Sequence, residues 1–238
     1  MNQLIINIIL FAAAFLAGLT VVVFKLKFSK NLKLLISFSG AFLLAISVLH
    51  LIPEIFSNYS EKIGLFILLG FLLQLLLEYF SSGIEHGHIH VHDKDLAVFP
   101  YAIFISLCIH SFVEGMALIN PAPLHVETYN TSLLLGIIIH KIPIAIVLST
   151  LILAKDLSKV VFFISISVFA LSAPMGLFLA SNDFLPFIEN SNIILALAVG
   201  IFLHISTTIL FESSTNHKFD LKKFIIIIFG FALALFTL

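Results

Sequence analysis

Eight apolar runs, most of them about twenty residues long, make up about three quarters of this 238-residue sequence. A helix needs about 20 apolar residues to cross the roughly 30 Å hydrocarbon core of a bilayer. The runs lack the alternation of a membrane β-barrel, so helices are the structure that satisfies their backbone in lipid. We therefore expect an all-α integral membrane protein in which 1–238 is a single domain with eight spans, at 4–24, 34–56, 63–82, 97–119, 131–154, 159–181, 191–212 and 222–238.

Composition narrows the class of protein further. Hydrophobic residues make up 61% of the chain and charged residues 11%, against about 45–50% and about 25% in soluble domains. This excludes a water-soluble fold, and the net charge of −1 gives no sign of a nucleic-acid partner. Cys108 is the single cysteine, which excludes an intramolecular disulfide and a site built from paired thiolates.

The lysines predict the orientation in the membrane. If the loops alternate sides, one side receives ten of the twelve lysines and the other receives only Lys62. The positive-inside rule makes the lysine-rich loops cytoplasmic, which places both termini outside. The short loops and the Ile, Phe, Lys and Asn content favour a cell membrane, with a bacterial inner membrane as the expected location. The ten lysines are Lys25, Lys27, Lys30, Lys33, Lys94, Lys155, Lys159, Lys218, Lys222 and Lys223.

The longest polar stretch, about 83–96, joins the third and fourth runs and lies on the cytoplasmic side by the same alternation. It carries alternating histidines in a glycine-containing segment, His86, His88, His90 and His92. Imidazoles in a flexible loop can fold around a metal ion, so we expect a loose metal contact there. The alternative is a solvated linker that is rich in histidine.

The fourth and fifth runs carry ionisable groups at bilayer depth, where each is costly and therefore a candidate functional group. His110 and Glu114 are four residues apart and share one helical face, a spacing that can chelate one divalent ion. In the next run, His140 lies close to Pro143, which predicts a kink and a free carbonyl beside a second imidazole. Lys141 needs a partner, and Glu114 on the neighbouring helix is the expected one.

Other ionisable groups extend a candidate polar route across the membrane. His50 and Glu54 form another pair spaced by four residues, near the outer end of the second run. Glu78, His204 and Glu212 lie in the third and seventh runs. The alternative is that the glutamates only reach the interfaces and that His204 only bonds to a neighbouring helix.

Two imidazoles and a carboxylate favour zinc over magnesium or calcium, which prefer oxygen ligands. Iron(II), manganese(II) and cadmium(II) compete with zinc, since such ligands alone do not select among them. No prosthetic group is expected. A b-type haem electron carrier, with His110 and His140 as axial ligands, is one alternative. An intramembrane zinc hydrolase is another, although the chain lacks the His-Glu-x-x-His pattern that it requires.

The combination of segments resembles the ZIP (Zrt/Irt-like) metal transporter family over nearly the whole chain. The resemblance implies a ZIP-like helix bundle that takes zinc or a related divalent ion into the cytosol and has no enzymatic activity. It also implies alternating access, with spans one, four, five and six moving against the others, and assigns His110, Glu114 and His140 as metal ligands. The segments that carry it are 40–54, 110–118, 140–143, 172–176 and 200–203.

Three positions depart from the two-metal pattern of this family. Ser111 stands where asparagine is common, Lys141 where an acid or asparagine is common, and Ile144 where a bridging glutamate is common. A second ion would meet a fixed positive charge, and two like charges about 4 Å apart repel by about 4 kcal/mol even at an effective dielectric of 20. We expect a mononuclear site with Lys141 in place of the second metal, as the resemblance to the subgroup of the family with His-Ser in span four and His-Lys in span five also implies. The expected partners are the ion and the lipid bilayer, and a homodimer is compatible with the sequence.

Overall fold

The computed structural model describes residues 2–25, 30–57, 62–81, 83, 99–120, 128–155, 157–182, 191–212 and 220–237. These residues are almost entirely helical, which confirms the predicted fold class at that level. The helices are α1 (Gln3–Phe24), α2 (Lys30–Ile46), α3 (Ile52–Ser57), α4 (Ile63–Ser81), α5 (Tyr101–Met116), α6 (Thr131–Ala154), α7 (Lys159–Ser181), α8 (Ser191–Glu212) and α9 (Leu221–Leu235).

Each apolar run of the sequence contains a helix, and most of these helices are long and apolar enough to cross a bilayer. Six satisfy both conditions, and Tyr101–Met116 is a shorter apolar helix. Large hydrophobic side chains are exposed along α4 and α9, as expected of surfaces that face lipid rather than water. The six spans are Gln3–Phe24, Asn31–Ser57, Ile63–Ser81, Thr131–Ala154, Lys159–Ser181 and Asn192–Phe211.

Helix α5 is shorter than its predicted span of 97–119. It starts just after Pro100, which has no N–H to donate to a preceding turn. At its other end the chain turns into a short antiparallel ribbon that joins α5 to α6. Strand β1 (Ile119–Asn120) pairs there with β2 (Thr128–Tyr129). Hydropathy alone extended the span, because the residues of this turn are also apolar.

The second run is interrupted between α2 and α3. Ser47–Leu51 forms a π-helical segment in which the Ile52 N–H donates to the Ser47 carbonyl. Pro53 follows directly and lacks the N–H that a regular helix would use. The short helix α3, which carries Glu54, follows this change in helical winding directly.

The helices pack in two groups. The first group consists of α1, α5, α6 and α7: α5 packs along α7, and α1 packs on both α6 and α7. The second group consists of α2, α3, α4, α8 and α9: α4 packs along α8, and α2 packs on α8 and α9. The groups meet where α2 packs on α6 and α4 packs on α5.

Glycines bring the backbones together within each group. A Cβ atom at Gly115 or Gly176 would collide with backbone of the facing helix in the α5–α7 crossing. Gly70 and Gly200 play the same part in the α4–α8 crossing. Small residues allow this close approach, which is a main source of packing energy between helices in lipid.

Side-chain contacts establish which helix ends lie together. Lys223, at the start of α9, donates to the Leu210 carbonyl near the end of α8 at 2.8 Å. At the opposite end of α9, the Thr237 carbonyl accepts from Ser132 at the start of α6, at 3.2 Å. Asn130, just before α6, contacts Glu54 of α3. These contacts agree with helices that alternate in direction.

Candidate metal centre

Helix α5 presents His110 and Glu114 on one buried face. The two residues are one turn apart, and the His110 Nε2 atom lies 3.1 Å from the Glu114 Oε1 atom. Their side chains are 1% and 2% exposed. As the sequence predicted, the spacing of four residues brings an imidazole and a carboxylate together.

Helix α6 adds His140 to this pair. One donor atom from each of His110, Glu114 and His140 can be chosen so that all three lie within 4.8 Å of one another. The two imidazole rings are 5.9 Å apart between centroids and nearly perpendicular. Donors on a tetrahedral zinc are separated by about 3.3 Å, so modest side-chain movement would close the set around one ion. Two nitrogens and one oxygen suit zinc and leave a fourth position for water or exchange.

Lys141 occupies the other side of the carboxylate. Its Nζ atom donates to the Glu114 Oε2 atom at 3.0 Å and to the Ser111 Oγ atom at 2.6 Å. The ammonium also lies 5.4 Å from the centre of the Phe169 ring, within the range of a cation–π contact. The expected pairing of Lys141 with Glu114 is confirmed.

We name His110, Glu114, His140 and Lys141 the α5–α6 centre. The two oxygens of Glu114 are divided between its neighbours, with Oε2 toward Lys141 and Oε1 toward His110. Each of the four side chains is at most 2% exposed. Because charges interact strongly where water is excluded, the ammonium neutralises much of the charge of the carboxylate, while Oε1 lies on the side of His110.

A second ionisable cluster lies between α4 and α8. The His204 Nε2 atom is 3.3 Å from the Glu78 Oε2 atom, with side chains 5% and 21% exposed. The edge of the His204 ring meets Phe71, and Gln74 is fully buried one turn before Glu78. We name Glu78 and His204 the α4–α8 pair.

His50 and Glu54, the predicted outer pair, each contact a residue from elsewhere in the chain. The Glu54 Oε2 atom accepts a hydrogen bond from the Asn130 Nδ2 atom at 2.8 Å. The His50 Nε2 atom lies 3.5 Å from the Thr237 Oγ1 atom. The sequence analysis missed Asn130 and Thr237. An asparagine directly before an apolar run is a favoured helix N-cap, which is the signal that could have drawn attention to Asn130.

The remaining predicted residues differ in how far the structure describes them. Pro143 is buried within α6, which continues through it to Ala154. His86, His88, His90 and His92 lie outside the described residues. Glu212 is the last residue of α8, and its side chain lies outside the described part of the chain.

Comparison with known proteins gives a family match. The family described as ZIP zinc transporter matches residues 81–237, which include the whole α5–α6 centre. Zinc transporter ZIP9-A of Xenopus laevis and zinc transporter ZIP9 of Xenopus tropicalis are each 25% identical over 158 residues. Each alignment covers 63% of this chain and 52% of the relative. The chain thus spans about half the length of the curated relatives that it matches.

Proposed function

This chain belongs to the ZIP zinc transporter family, and from that membership we propose that it carries divalent transition-metal cations, zinc first among them, across a membrane. Members of this family are transporters and not enzymes, so no catalytic residue is assigned. The haem-carrier and zinc-hydrolase alternatives are not favoured by the family match. Iron(II), manganese(II) and cadmium(II) remain competitors of zinc at the proposed site.

One observation carries this proposal. His110, Glu114 and His140 form the one group of three or more candidate metal-binding side chains found among the described residues, and all three are buried. A carboxylate and two imidazoles at this depth cost free energy to bury, and ionisable groups inside a membrane bundle typically mark a functional site. We propose that they bind one cation through the Glu114 Oε1 atom and one nitrogen of each imidazole.

Lys141 gives the proposed centre its single-ion character. The ammonium takes the place that a second cation would need, and it repels the first cation once that cation is bound. At about 5 Å and an effective dielectric of 20, a single and a double positive charge repel by about 7 kcal/mol. This repulsion limits the affinity, so the ion can leave, and the ammonium then balances Glu114 during return of the carrier.

Protons compete with the cation at this centre. An imidazole that binds a metal must be neutral, so metal binding weakens as the solution becomes acidic. We therefore expect the rate of uptake to decrease as the pH is lowered.

The route and orientation follow the charge pattern. We propose eight spans with both termini outside, Glu54 and His50 near the outer surface, and the α4–α8 pair and Glu212 on the inner half of the route. Alternating access between the first and second groups is supported by the packing, since most close helix pairs lie within one group. We also propose that 1–238 forms one transporter domain. A bacterial inner membrane, a homodimer and metal contact by the His-rich loop remain predictions from the sequence.

The direct test is flux into sealed vesicles. We expect purified protein in liposomes that contain a zinc-sensitive dye to admit Zn²⁺ and Cd²⁺, with no flux of Mg²⁺. His140→Gln should abolish the Zn²⁺ signal while the variant remains monodisperse and helical. A signal equal to that of protein-free liposomes, or an undiminished signal with His140→Gln, would overturn the proposal.

A further inference from the structure

We propose that the hydrogen bond between Glu54 and Asn130 is a latch that holds the outer ends of the two helix groups together. The inference rests on the proposed function, in which the groups must separate at this end to admit a cation from outside. Among the described residues, the contact connects α3 of the second group with the residue that starts α6 of the first. It is therefore placed where relative movement of the groups must break it.

Asn130 is anchored firmly in the first group. Its side-chain oxygen accepts from the Leu133 N–H at 2.9 Å and so caps α6. Its backbone N–H donates to the Leu118 carbonyl at 3.2 Å, just after α5, and the β1–β2 ribbon encloses the same turn. These bonds orient the Asn130 amide, and its NH₂ group is left to reach the other group.

Glu54 is anchored in the second group. It lies on α3, directly before Ile55, which is fully buried, and α3 packs against α8. The π-helical segment leads without a break into this short helix, so α3 continues the backbone of α2. The carboxylate and the amide thus meet at 2.8 Å from two independently supported positions.

Neighbouring contacts strengthen the same junction. Ser132 of α6 donates to the Thr237 carbonyl, and Thr237 in turn contacts His50. Deeper in the protein, the groups meet through apolar surface, where a Cβ atom at Gly136 would lie 3.5 Å from Leu43 and 3.9 Å from Phe42. The polar junction therefore adds directional bonds at the end of an interface that is otherwise held by van der Waals packing.

The latch is built to open reversibly. Glu54 and Asn130 are both half-buried, so water can replace each partner when the groups part. A hydrogen bond to a charged group is worth enough to change an equilibrium by about tenfold or more. Loss of the bond should therefore shift the closed and open populations by about that factor.

Asn130→Asp removes the latch while it preserves the helix cap. Aspartate caps helices as well as asparagine does, but it has no NH₂ group and places a second carboxylate beside Glu54. Glu54→Gln keeps an acceptor oxygen for Asn130. The double variant Glu54→Gln/Asn130→Asp exchanges donor and acceptor, because the new glutamine amide can donate to the new aspartate.

A cysteine placed beneath the latch reports its opening. Gly136 is buried one turn before His140, and its surroundings leave ordinary van der Waals space for a Cβ atom. We would introduce Gly136→Cys in a Cys108→Ser background. The rate of modification by a membrane-impermeant thiol reagent would be measured with the reagent added to each side of the vesicles.

Asn130→Asp should raise the labelling rate about tenfold when the reagent is added on the side opposite the lysine-rich loops. Glu54→Gln should change this rate by less than about threefold. The double variant should return the rate toward that of the background protein. Unchanged labelling with Asn130→Asp would overturn the latch. Fast labelling that the exchanged pair fails to reverse would also overturn it, because the loss would then reflect a general loosening.

This measurement uses no metal, so its failure is distinct from failure of the proposed transport. Zinc flux that persists while labelling is insensitive to Asn130→Asp would remove the latch and leave the transporter. Labelling that responds as expected in a protein without metal flux would leave a latch between helix groups and remove the transport proposal. Fast labelling from the lysine-rich side would contradict the location of the latch at the outer end.

Discussion

The α5–α6 centre and the α4–α8 pair both combine histidine with a carboxylate inside the helix bundle, and they differ in donor number and in charge balance. The centre offers two imidazoles and one carboxylate, all at most 2% exposed, and holds an ammonium against the carboxylate. The pair offers one imidazole and one carboxylate, and Glu78 is 21% exposed.

The difference indicates which cluster can hold a divalent cation. Three protein donors nearly complete the tetrahedral shell of zinc, whereas the two donors of the α4–α8 pair leave half of it to water or other groups. The ammonium also neutralises the buried carboxylate when no metal is bound, a state in which an isolated charge is costly. We therefore propose that the cation binds at the centre and that the pair makes only a transient contact with it.

Removal of one imidazole from each cluster should give the largest contrast. His140→Gln removes a proposed ligand and should lower zinc flux by more than about a hundredfold, since changes merely next to metal ligands cost about 10- to 100-fold. His204→Gln should lower flux by at most about fivefold, the equivalent of about 1 kcal/mol for the loss of one hydrogen bond. Zinc flux into liposomes measures both variants, and equal losses would contradict the distinction.

The two clusters can also be compared by substituting the glycines where the helices beside each cluster cross. Gly176→Ala would push α7 from α5, and Gly200→Ala would push α8 from α4, because each Cβ atom meets facing backbone. Overpacking of this kind should cost about 1–3 kcal/mol, seen as a lower thermal unfolding temperature. Zinc binding by calorimetry should weaken in Gly176→Ala and persist in Gly200→Ala.

Gly64→Ala is the matched control for these changes, since nothing lies within 4 Å of a Cβ atom there. Its unfolding temperature and zinc affinity should match those of the unaltered protein. If Gly200→Ala weakened zinc binding as much as Gly176→Ala does, the claim that the α5–α6 centre and the α4–α8 pair are independent would be contradicted.

Loss of the ammonium should have a smaller effect on transport than loss of an imidazole. Lys141→Ala leaves Glu114 without its buried partner. Such a loss typically lowers the free energy of unfolding by about 3–5 kcal/mol unless the carboxylate takes up a proton. We expect zinc to bind at least as tightly, with turnover slowed by about tenfold and weaker discrimination among divalent ions. Lys222→Ala, at an exposed position, is the control. Transport at the original rate with unchanged ion preference would reduce Lys141 to a structural counter-ion.

The smallest expected effect concerns the carboxylate of the pair. Glu78→Gln keeps a side chain that can bond to His204 and removes one negative charge from the inner half of the route. Flux should fall by about twofold to fivefold, within the range expected for one altered hydrogen bond, with zinc affinity unchanged. A loss as large as that of His140→Gln would show that the pair is itself an obligatory binding site.

The sequence predicted what depends on local spacing. The helical runs follow from hydropathy, and the facing of His110 and Glu114 follows from their separation along one helix. The meeting of Lys141 with Glu114 was also predictable, because buried charges require partners and the two helices are consecutive. The metal ligands themselves stay a prediction that the buried cluster supports.

Long-range pairings were beyond the sequence. The contact of Glu78 with His204 depends on the α4–α8 crossing, which glycines far apart in the chain make possible. The bond of Glu54 to Asn130 joins residues that are 76 positions apart in the chain, and no local spacing brings them together. Helix α5 ended before its predicted span because hydropathy does not distinguish an apolar helix from an apolar turn.

The central claim is that one cation binds between α5 and α6 with Lys141 beside it. Anomalous diffraction from crystals soaked in Zn²⁺ or Cd²⁺ tests it most directly. We predict one intramembrane peak per chain, within bonding distance of His110, Glu114 and His140, and no second peak at the Lys141 ammonium. No density at these three side chains, or two adjacent ions there, would contradict the account.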